Sequence, residues 1–456
     1  MKNTVGNMIQ WVTVLAVIAV SLFSAVRGAA ARQQCADKKD DAILQIMQKY
    51  NDAKTDEQKK EIESELVKAI RNHDGPVIEV GNATIFLIKE GNRDGVKAEI
   101  FGDFNGWFGR KLMQRLGLTS IYYYRIENIP DDSRIEYKLK VDGREICDPL
   151  NPLKIDNGEG NENSILQMPG YRPCVPSGCG SQPDPLKGKT FTHQLRSSIM
   201  NNSRKVTVYT PPDYDANGTE AYPLLLVHDG TGYLERARLA VIAERLIEAG
   251  KIKKMVIVFV DPVERNKEYG RGRDYSAFTV KELLPWAEGN YRISSNVKDR
   301  AVMGASKGGL ISFHLAFTYP AIFSKVASQS GAFGIDEVTD GSSLMKEVEA
   351  SQKKPISVYL DIGLYDLVLE KGSLLECNRA MHKILKEKGY PVTYKEFDGG
   401  HNWACWRDQL QSILCFLFGT GASGRDGRVR TQGGFLLPLE SSCLPVLQVD
   451  PVKVPF

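Results

Sequence analysis

Ser306 stands in a sequence context that makes serine a nucleophile. The apolar run Ala301–Met303 leads into Gly304–Gly308, which has the form Gly-x-Ser-x-Gly, and a helical pattern of apolar residues follows. A strand, a tight turn and a helix are the setting of a nucleophile elbow, where small residues let strand and helix approach closely. The helix N-terminus also favours developing negative charge. The motif predicts acyl-transfer chemistry at Ser306.

A serine needs a general base, and the chain offers six histidines. They are His73, His193, His228, His314, His382 and His401. In a hydrolase of this architecture the nucleophile precedes the acid and the histidine, so only the last three qualify. His314 and His382 fall within helical patterns. His401 follows a strand and a Gly-Gly loop that can carry an imidazole over the elbow, and we predict it as the base.

The acid that orients the base should come from a strand end between the serine and the histidine. Asp361 ends a strand, and Asp366 lies on the following loop, from which it can reach His401 from the side. We predict Asp366 as the acid and keep Asp361 and Asp398 as alternatives. The carboxylate would fix the imidazole tautomer and stabilise the imidazolium.

Two backbone amides should stabilise the oxyanion. One is predicted to be that of Lys307, directly after the nucleophile. The other should follow an earlier strand, and the run Leu224–Val227 places Gly230 or Thr231 there.

The elements that must position these groups follow from hydrophobic patterning. Between 188 and 419, apolar or β-branched runs alternate with helical patterns, which predicts a mostly parallel sheet covered on both faces. Residues 76–170 instead show short alternating strands separated by turns, which is typical of a β-sandwich. Residues 38–72 are highly charged, with apolar residues at helical spacing. They predict one or two helices that either pack on the chain itself or serve in docking.

Composition excludes other classes of protein. The 456 residues carry 59 basic and 56 acidic side chains, so no basic excess indicates nucleic-acid binding. The eight cysteines form no paired Cys-x-x-Cys units, and we predict no metal site. Cys174 with Cys179 and Cys377 with Cys405 are candidate disulfides, with free packed thiols as the alternative.

The N-terminus is typical of a secretory signal. An apolar run from Met8 to Val26 follows Lys2, and small residues then permit cleavage after Ala30 or Ala31. We therefore expect a secreted or periplasmic protein. An uncleaved membrane anchor is the alternative, and it is the one case in which membrane contact is expected.

Two family resemblances complete these predictions. The segment Phe101–Trp107 and the later Tyr137–Gly143 resemble the early-set, carbohydrate-binding-module-48-like domains of glycogen-branching enzymes, in which Trp107 would either stack on a sugar or pack the sandwich. The region 206–418 resembles the enterochelin esterase family and its esterase-D relatives, which include feruloyl esterases. The residues that match are Tyr209–Pro212, Leu226–Gly230, Val260–Pro262, Arg265, the Ser306 elbow, Ser328–Gly331, Gly363, Asp366, Gly399–Trp403, Trp406 and Arg407.

The second resemblance implies an α/β-hydrolase fold and a serine carboxylesterase that needs no metal or organic cofactor. It places Arg265 where it would bind an acidic or catecholate group, unless it pairs with a carboxylate, and Trp403 where it would line an aromatic pocket. The expected substrate is a siderophore or an aromatic or sugar-linked ester, and the alternatives are a feruloyl or acetyl esterase of plant polysaccharide, an acyltransferase, or a non-catalytic carbohydrate-binding protein.

The predicted organisation has six parts. They are a signal peptide (1–31), a helical segment (32–75), an early-set β-sandwich (76–170), a linker (171–187), an α/β-hydrolase domain (188–419) and a flexible tail (420–456).

Overall fold

The computed structural model describes residues 38–89, 95–158, 160–173, 186–334, 343–370 and 372–421. The described residues up to Thr420 form one compact unit. Within the described ranges, no helix is both long and apolar enough to cross a membrane. The predicted signal peptide, the Cys174–Cys179 pair and the predicted tail beyond 421 lie outside the described residues.

Two helices open the described chain, α1 (38–52) and α2 (Asp56–Arg71). Thr55 caps α2 through a capping box, in which its side chain accepts from the Gln58 amide. The apolar faces of both helices bury Ile43 and Leu66 against Phe86 of the neighbouring sheet. The helical segment therefore packs on its own chain, as one of the two sequence interpretations has it.

A two-sheet β-sandwich follows, because the alternating residues of its strands bury one face of each sheet in a common core. One sheet contains β1 (Val77–Glu79), β2 (Asn82–Ile88), β5 (Gln114–Arg115) and β6 (Ile121–Glu127). The other contains β3 (Ala98–Gly102), β4 (Lys111–Leu112), β7 (Arg134–Val141), β8 (Arg144–Ile146), β9 (Lys154–Asp156) and β10 (Glu162–Gln167). A 3-10 turn, Asp103–Asn105, follows β3 directly.

The larger sheet of the chain is mostly parallel, which confirms the prediction. Its strands lie in the order β11 (Lys189–Ser197), β12 (Asn202–Thr210), β14 (Val256–Val260), β13 (Leu224–His228), β15 (Arg300–Ala305), β16 (Lys325–Gln329), β17 (Ser357–Tyr365) and β20 (Val392–Gly400). β12 pairs antiparallel with both of its neighbours, β11 and β14, and the other neighbouring strands pair in parallel. A short hairpin, β18 (Val368–Leu369) and β19 (Gly372–Ser373), follows β17.

Helices cover both faces of this sheet. They are α3 (Leu239–Glu248), α4 (Arg265–Glu268), α5 (Arg273–Phe278), α6 (Leu284–Asn290), α7 (Lys307–Thr318), α8 (Leu344–Ala350), α9 (Leu374–Glu387) and α10 (Trp403–Phe418), with further turns at Gly232–Arg236, Thr279–Leu283 and Val297–Asp299. Successive residues of β13 enter opposite cores, Leu224 one and Leu225 the other. This is why the strand is apolar without interruption.

The sandwich joins the large sheet at its edge. Gly399 on β20 pairs in parallel with Arg134 on β7. Tyr365, at the end of β17, packs against the sandwich core. The carboxyl ends of β17 and β20 are therefore held between the two sheets.

Candidate active site

Ser306 lies between β15 and α7 in a strained conformation, with φ 57° and ψ −122°. Its amide donates to the Gln329 carbonyl oxygen at 2.8 Å, which ties the turn to β16. A Cβ at Gly304 would fall 2.4 Å from the Gly308 carbonyl oxygen, so the crossing of strand and helix requires glycine. Left-handed serine at a strand–helix turn is the geometry that presents a nucleophile.

His401 and Asp366, predicted from different loops, are in direct contact. His401 Nδ1 lies 2.7 Å from Asp366 Oδ1, and Asp366 is buried. Two further donors hold the carboxylate, the Leu367 amide at 2.7 Å and Ser330 Oγ at 2.6 Å. Trp406 Nε1 donates in turn to Ser330 Oγ at 3.0 Å. The carboxylate is thus fixed on three sides, and it leaves the other imidazole nitrogen for chemistry.

The two alternative acids lie elsewhere. Asp361 is fully buried within β17, and its Oδ2 accepts from Gln329 Nε2 at 3.2 Å. Its Oδ1 has no hydrogen-bond partner, and burial raises the pKa of this carboxyl to about 8. Burial and the neighbouring Asp132 raise the pKa of Asp398. Asp366 is the carboxylate that the fold places on the imidazole.

Ser306 and His401 both line one cavity of about 360 Å³. Trp403 and Trp406 line it as well, with their rings 5.0 Å apart and nearly perpendicular. Trp403 therefore takes the predicted place in an aromatic wall. The sandwich also lines the cavity, through residues 157–158 of its β9–β10 turn, and Gly158 lies against Trp403.

The amide of Thr231, one of the two alternatives for the oxyanion hole, is already committed. It donates to Asp261 Oδ1 at 2.7 Å, and the Thr231 hydroxyl donates to Asp261 Oδ2. This corrects the Thr231 alternative and leaves Gly230, where a Cβ would fall 2.7 Å from the Phe259 carbonyl carbon. Lys307 begins α7, where an amide has no partner within the helix.

Arg265 forms a carboxylate pair rather than standing free for a ligand. Its Nε and Nη2 donate to the two oxygens of Asp229 at 2.8 and 2.7 Å. Burial raises the pKa of Asp229, and the paired guanidinium opposes that effect. Both residues line the cavity, so the pair forms part of its floor. Glu268, a possible partner of Arg265 in the sequence, bonds Arg204 instead.

Several residues of the site were not singled out as functional from the sequence. Ser330 belongs to a stretch that matches the esterase pattern, but its role emerges only from its contact with Asp366. Arg236 and Gly158 both line the cavity and lie close together, since a Cβ at Gly158 would fall 3.6 Å from Arg236 Cζ. These two residues are about 80 positions apart, and no pattern in the sequence indicates that they lie close together.

The structure also bears on the candidate disulfide and on metal binding. Cys405 is a buried free thiol, so the predicted pairing of Cys377 with Cys405 is wrong. Burial raises the pKa of the Cys405 thiol, which packs as a small apolar group. Among the described residues, no group of three or more His, Cys, Asp or Glu side chains is arranged to hold a metal ion.

The chain is similar to known esterases. Residues 197–417 match the family model described as putative esterase. The iron(III) enterobactin esterase of Escherichia coli O6:H1 is 26% identical over 309 residues, which cover 64% of this chain and 73% of that protein.

Two solved structures share the fold. The ferric enterobactin esterase of Salmonella typhimurium gives a TM-score of 0.63 at 20% identity and covers 76% of this chain and 97% of that one. The enterobactin esterase of Shigella flexneri, solved in the presence of enterobactin, gives 0.62 at 20% identity over 77% and 97%. The chain shares the α/β-hydrolase fold of these two structures. The family match and the relatives indicate a carboxylic ester hydrolase. Among the esterases, the chain is similar to the enterobactin esterases, which agrees with the sequence resemblance.

Proposed function

We propose that the chain is a serine esterase in which Ser306, His401 and Asp366 form the catalytic triad. The observation that carries the proposal is the 2.7 Å contact between His401 and Asp366 beside a cavity that the left-handed Ser306 also lines. Serine, imidazole and buried carboxylate are the groups that acyl transfer without a metal requires.

In the proposed reaction, Ser306 Oγ attacks the ester carbonyl carbon while His401 Nε2 takes the hydroxyl proton. Asp366 holds the imidazole through Nδ1 and stabilises its positive charge. The amides of Lys307 and Gly230 bind the oxyanion. Collapse of the tetrahedral intermediate breaks the bond to the leaving alcohol, which takes the proton from His401. Water then enters by the same route and releases the acid from Ser306.

We propose a small-molecule ester of the siderophore type as the substrate. The relatives reported above are named enterobactin esterases. The cavity supports an aromatic acyl or alcohol group through Trp403 and Trp406. A volume of about 360 Å³ is at the small end for a ligand site, so one arm of a large lactone would enter while the remainder stays outside.

The test is hydrolysis by the purified chain of p-nitrophenyl acetate, methyl ferulate, acetylated xylan and a ferric catecholate trilactone. Ser306→Ala should abolish turnover and fluorophosphonate labelling, whereas Ser203→Ala, at an exposed strand position, should change neither. Preference for the trilactone supports the siderophore proposal, and preference for ferulate or xylan replaces it with the polysaccharide alternative. Turnover and labelling retained by Ser306→Ala would refute the triad.

We also propose that the protein is exported, on the evidence of its N-terminal sequence. Mass spectrometry of the mature N-terminus after expression of the full chain tests this. A chain beginning at Ala31 or Arg32 supports export with cleavage, and a chain that keeps residues 1–31 contradicts it.

A further inference from the structure

A buried carboxylate of the sandwich lies against the loop that carries His401. Asp103 is 1% exposed and stands on the segment Gly102–Trp107, here called the bracing loop. Its Oδ2 accepts from Asn402 Nδ2 at 3.1 Å, across the junction between the sandwich and the large sheet. Its Oδ1 accepts from Trp107 Nε1 at 2.7 Å. Trp107 therefore has a structural role in the bracing loop.

The two residues that flank His401 both meet Asp103. Asn402 follows the histidine and also caps α10, since its Oδ1 accepts from the Cys405 amide at 3.0 Å. Gly400 precedes the histidine, and a Cβ there would fall 2.0 Å from Asp103 Cγ. The carboxylate thus occupies the space that a side chain at 400 would need. The backbone on either side of the imidazole is defined by a residue about 300 positions earlier in the chain.

The bracing loop also lies against the loop of the triad acid. The Gly106 carbonyl oxygen accepts from the Val368 amide at 3.0 Å. A Cβ at Gly106, where φ is +63°, would fall 2.9 Å from the Asp366 carbonyl oxygen. Tyr365, which precedes Asp366, packs against the sandwich core. One loop of the sandwich therefore contacts the segments that carry both His401 and Asp366.

The interior of the sandwich holds Asp103 firmly. The Glu136 amide donates to Asp103 Oδ2 at 2.8 Å. Glu136 is itself held by Arg134 at 3.1 Å and by Asn163 at 2.9 Å. Burial and the nearby Glu136 raise the pKa of Asp103. A buried polar group that is fully hydrogen-bonded specifies one geometry, and losing one partner leaves the others unsatisfied.

We propose that Asp103 is a positioning residue for the triad, which acts on His401 through Asn402 and Gly400. This inference rests on the proposed function of Ser306, His401 and Asp366. The sandwich is then a part of the catalytic machinery, in addition to forming one wall of the cavity. Displacement of a catalytic group by about 1 Å can lower a rate by about 100-fold.

The experiment compares Asp103→Asn with Asp148→Asn in the full chain, using p-nitrophenyl acetate. Asp148 is a matched control because it is also 1% exposed in the sandwich, and it bonds Tyr137 Oη at 2.7 Å and the Leu150 amide at 2.8 Å, within the sandwich. We expect Asp103→Asn to lower kcat by about 10- to 100-fold with KM nearly unchanged. Asp148→Asn should lower the thermal midpoint but leave kcat within about twofold.

A reciprocal exchange, Asp103→Asn with Asn402→Asp, adds a readout that general destabilisation would not produce. The hydrogen bond between positions 103 and 402 is restored with donor and acceptor exchanged, and aspartate caps a helix as well as asparagine does. The Glu136 amide, which donates to the same oxygen of Asp103, loses its acceptor in both variants. We therefore expect the exchange to recover part of the kcat lost in Asp103→Asn. If that single variant does not fold, Asn402→Ser replaces it, because serine keeps the cap of α10 but is too short to reach Asp103.

The outcomes separate the two proposals. If Ser306→Ala stays active, the triad and the bracing role are both wrong. If Ser306→Ala is inactive but Asp103→Asn matches Asp148→Asn in kcat, the triad stands and the bracing role is overturned. No recovery in the exchange variant would also overturn it. A selective loss of kcat that the exchange partly restores would support it.

Discussion

Replacing each of two neighbouring aspartates by asparagine tests which one serves the histidine. Asp366→Asn keeps the shape of the side chain but removes the charge beside His401 Nδ1, 2.7 Å away. Every group that contacts this carboxylate is a donor, including Ser330 Oγ and the Leu367 amide. An amide nitrogen in place of either carboxylate oxygen must therefore face at least one donor. Asp361→Asn makes the same chemical change in β17, where the side chain bonds Gln329.

The expected sizes differ by orders of magnitude. In a serine triad, the acid-to-amide change lowers kcat by about 10⁴-fold through the wrong tautomer and an unstabilised imidazolium. We expect a loss of about 10³- to 10⁴-fold for Asp366→Asn, which at about 1.4 kcal/mol per tenfold corresponds to about 4–5.5 kcal/mol of transition-state stabilisation. Asp361→Asn should change kcat by less than about threefold, because this residue has no hydrogen bond to the histidine.

The assay is steady-state hydrolysis of p-nitrophenyl acetate, with thermal melting to show that both variants are folded. Ser306→Ala sets the background rate, below which no loss can be measured. A folded Asp366→Asn variant with more than about a tenth of the wild-type kcat would refute the assignment of the acid. A large loss in Asp361→Asn alone would transfer the role to that residue.

Three other perturbations have outcomes that the structure sets. Burial raises the pKa of Asp361 to about 8, so the folded state retains a proton that the unfolded chain releases near pH 4. The free energy of unfolding should therefore fall as pH rises from about 4 to about 8. Asp361→Asn should lack this part of the fall when urea midpoints are compared at pH 5 and pH 8. Arg265→Ala leaves Asp229 buried without its partner, and calorimetry should show a loss of about 1–3 kcal/mol in the free energy of unfolding. The loss is limited because the Arg265 side chain is 39% exposed. An unchanged melting temperature would argue against a structural pair. Gly158 has φ +87°, and Gly158→Ala places a methyl group 3.1 Å from Trp403 Nε1. The KM should rise several-fold for methyl ferulate and little for p-nitrophenyl acetate. Equal effects on both substrates would contradict a role in size selection.

The sequence was sufficient for the large sheet and the order of the proposed triad. Alternation of apolar strands with helices specifies a parallel sheet, and the Gly-x-Ser-x-Gly motif needs only local sterics to make Ser306 strained. Chain order then restricted the base to three histidines. The prediction of the sheet succeeded because it depends on one repeating pattern along the chain.

The choice among neighbouring polar groups needed tertiary contacts. Asp361 and Asp366 are both acidic residues near one strand end and both are buried, and only the path of the chain through and beyond β17 brings the second against His401. Thr231 and Gly230 likewise differ only through Asp261, which comes from the adjacent strand end. The predicted Cys377–Cys405 disulfide failed because loop proximity in sequence does not bring two thiols into bonding distance.

What the sequence alone determined about this protein is the type of the large sheet and the strained turn at Ser306, because periodicity and motif are local properties. Only the tertiary structure decided how the sandwich takes part. Asp103 and Asn402 are 299 positions apart, and they meet because Gly399 pairs with Arg134 at the sheet edge. Long-range pairing of this kind depends on how complete surfaces pack, and no single stretch of sequence encodes it.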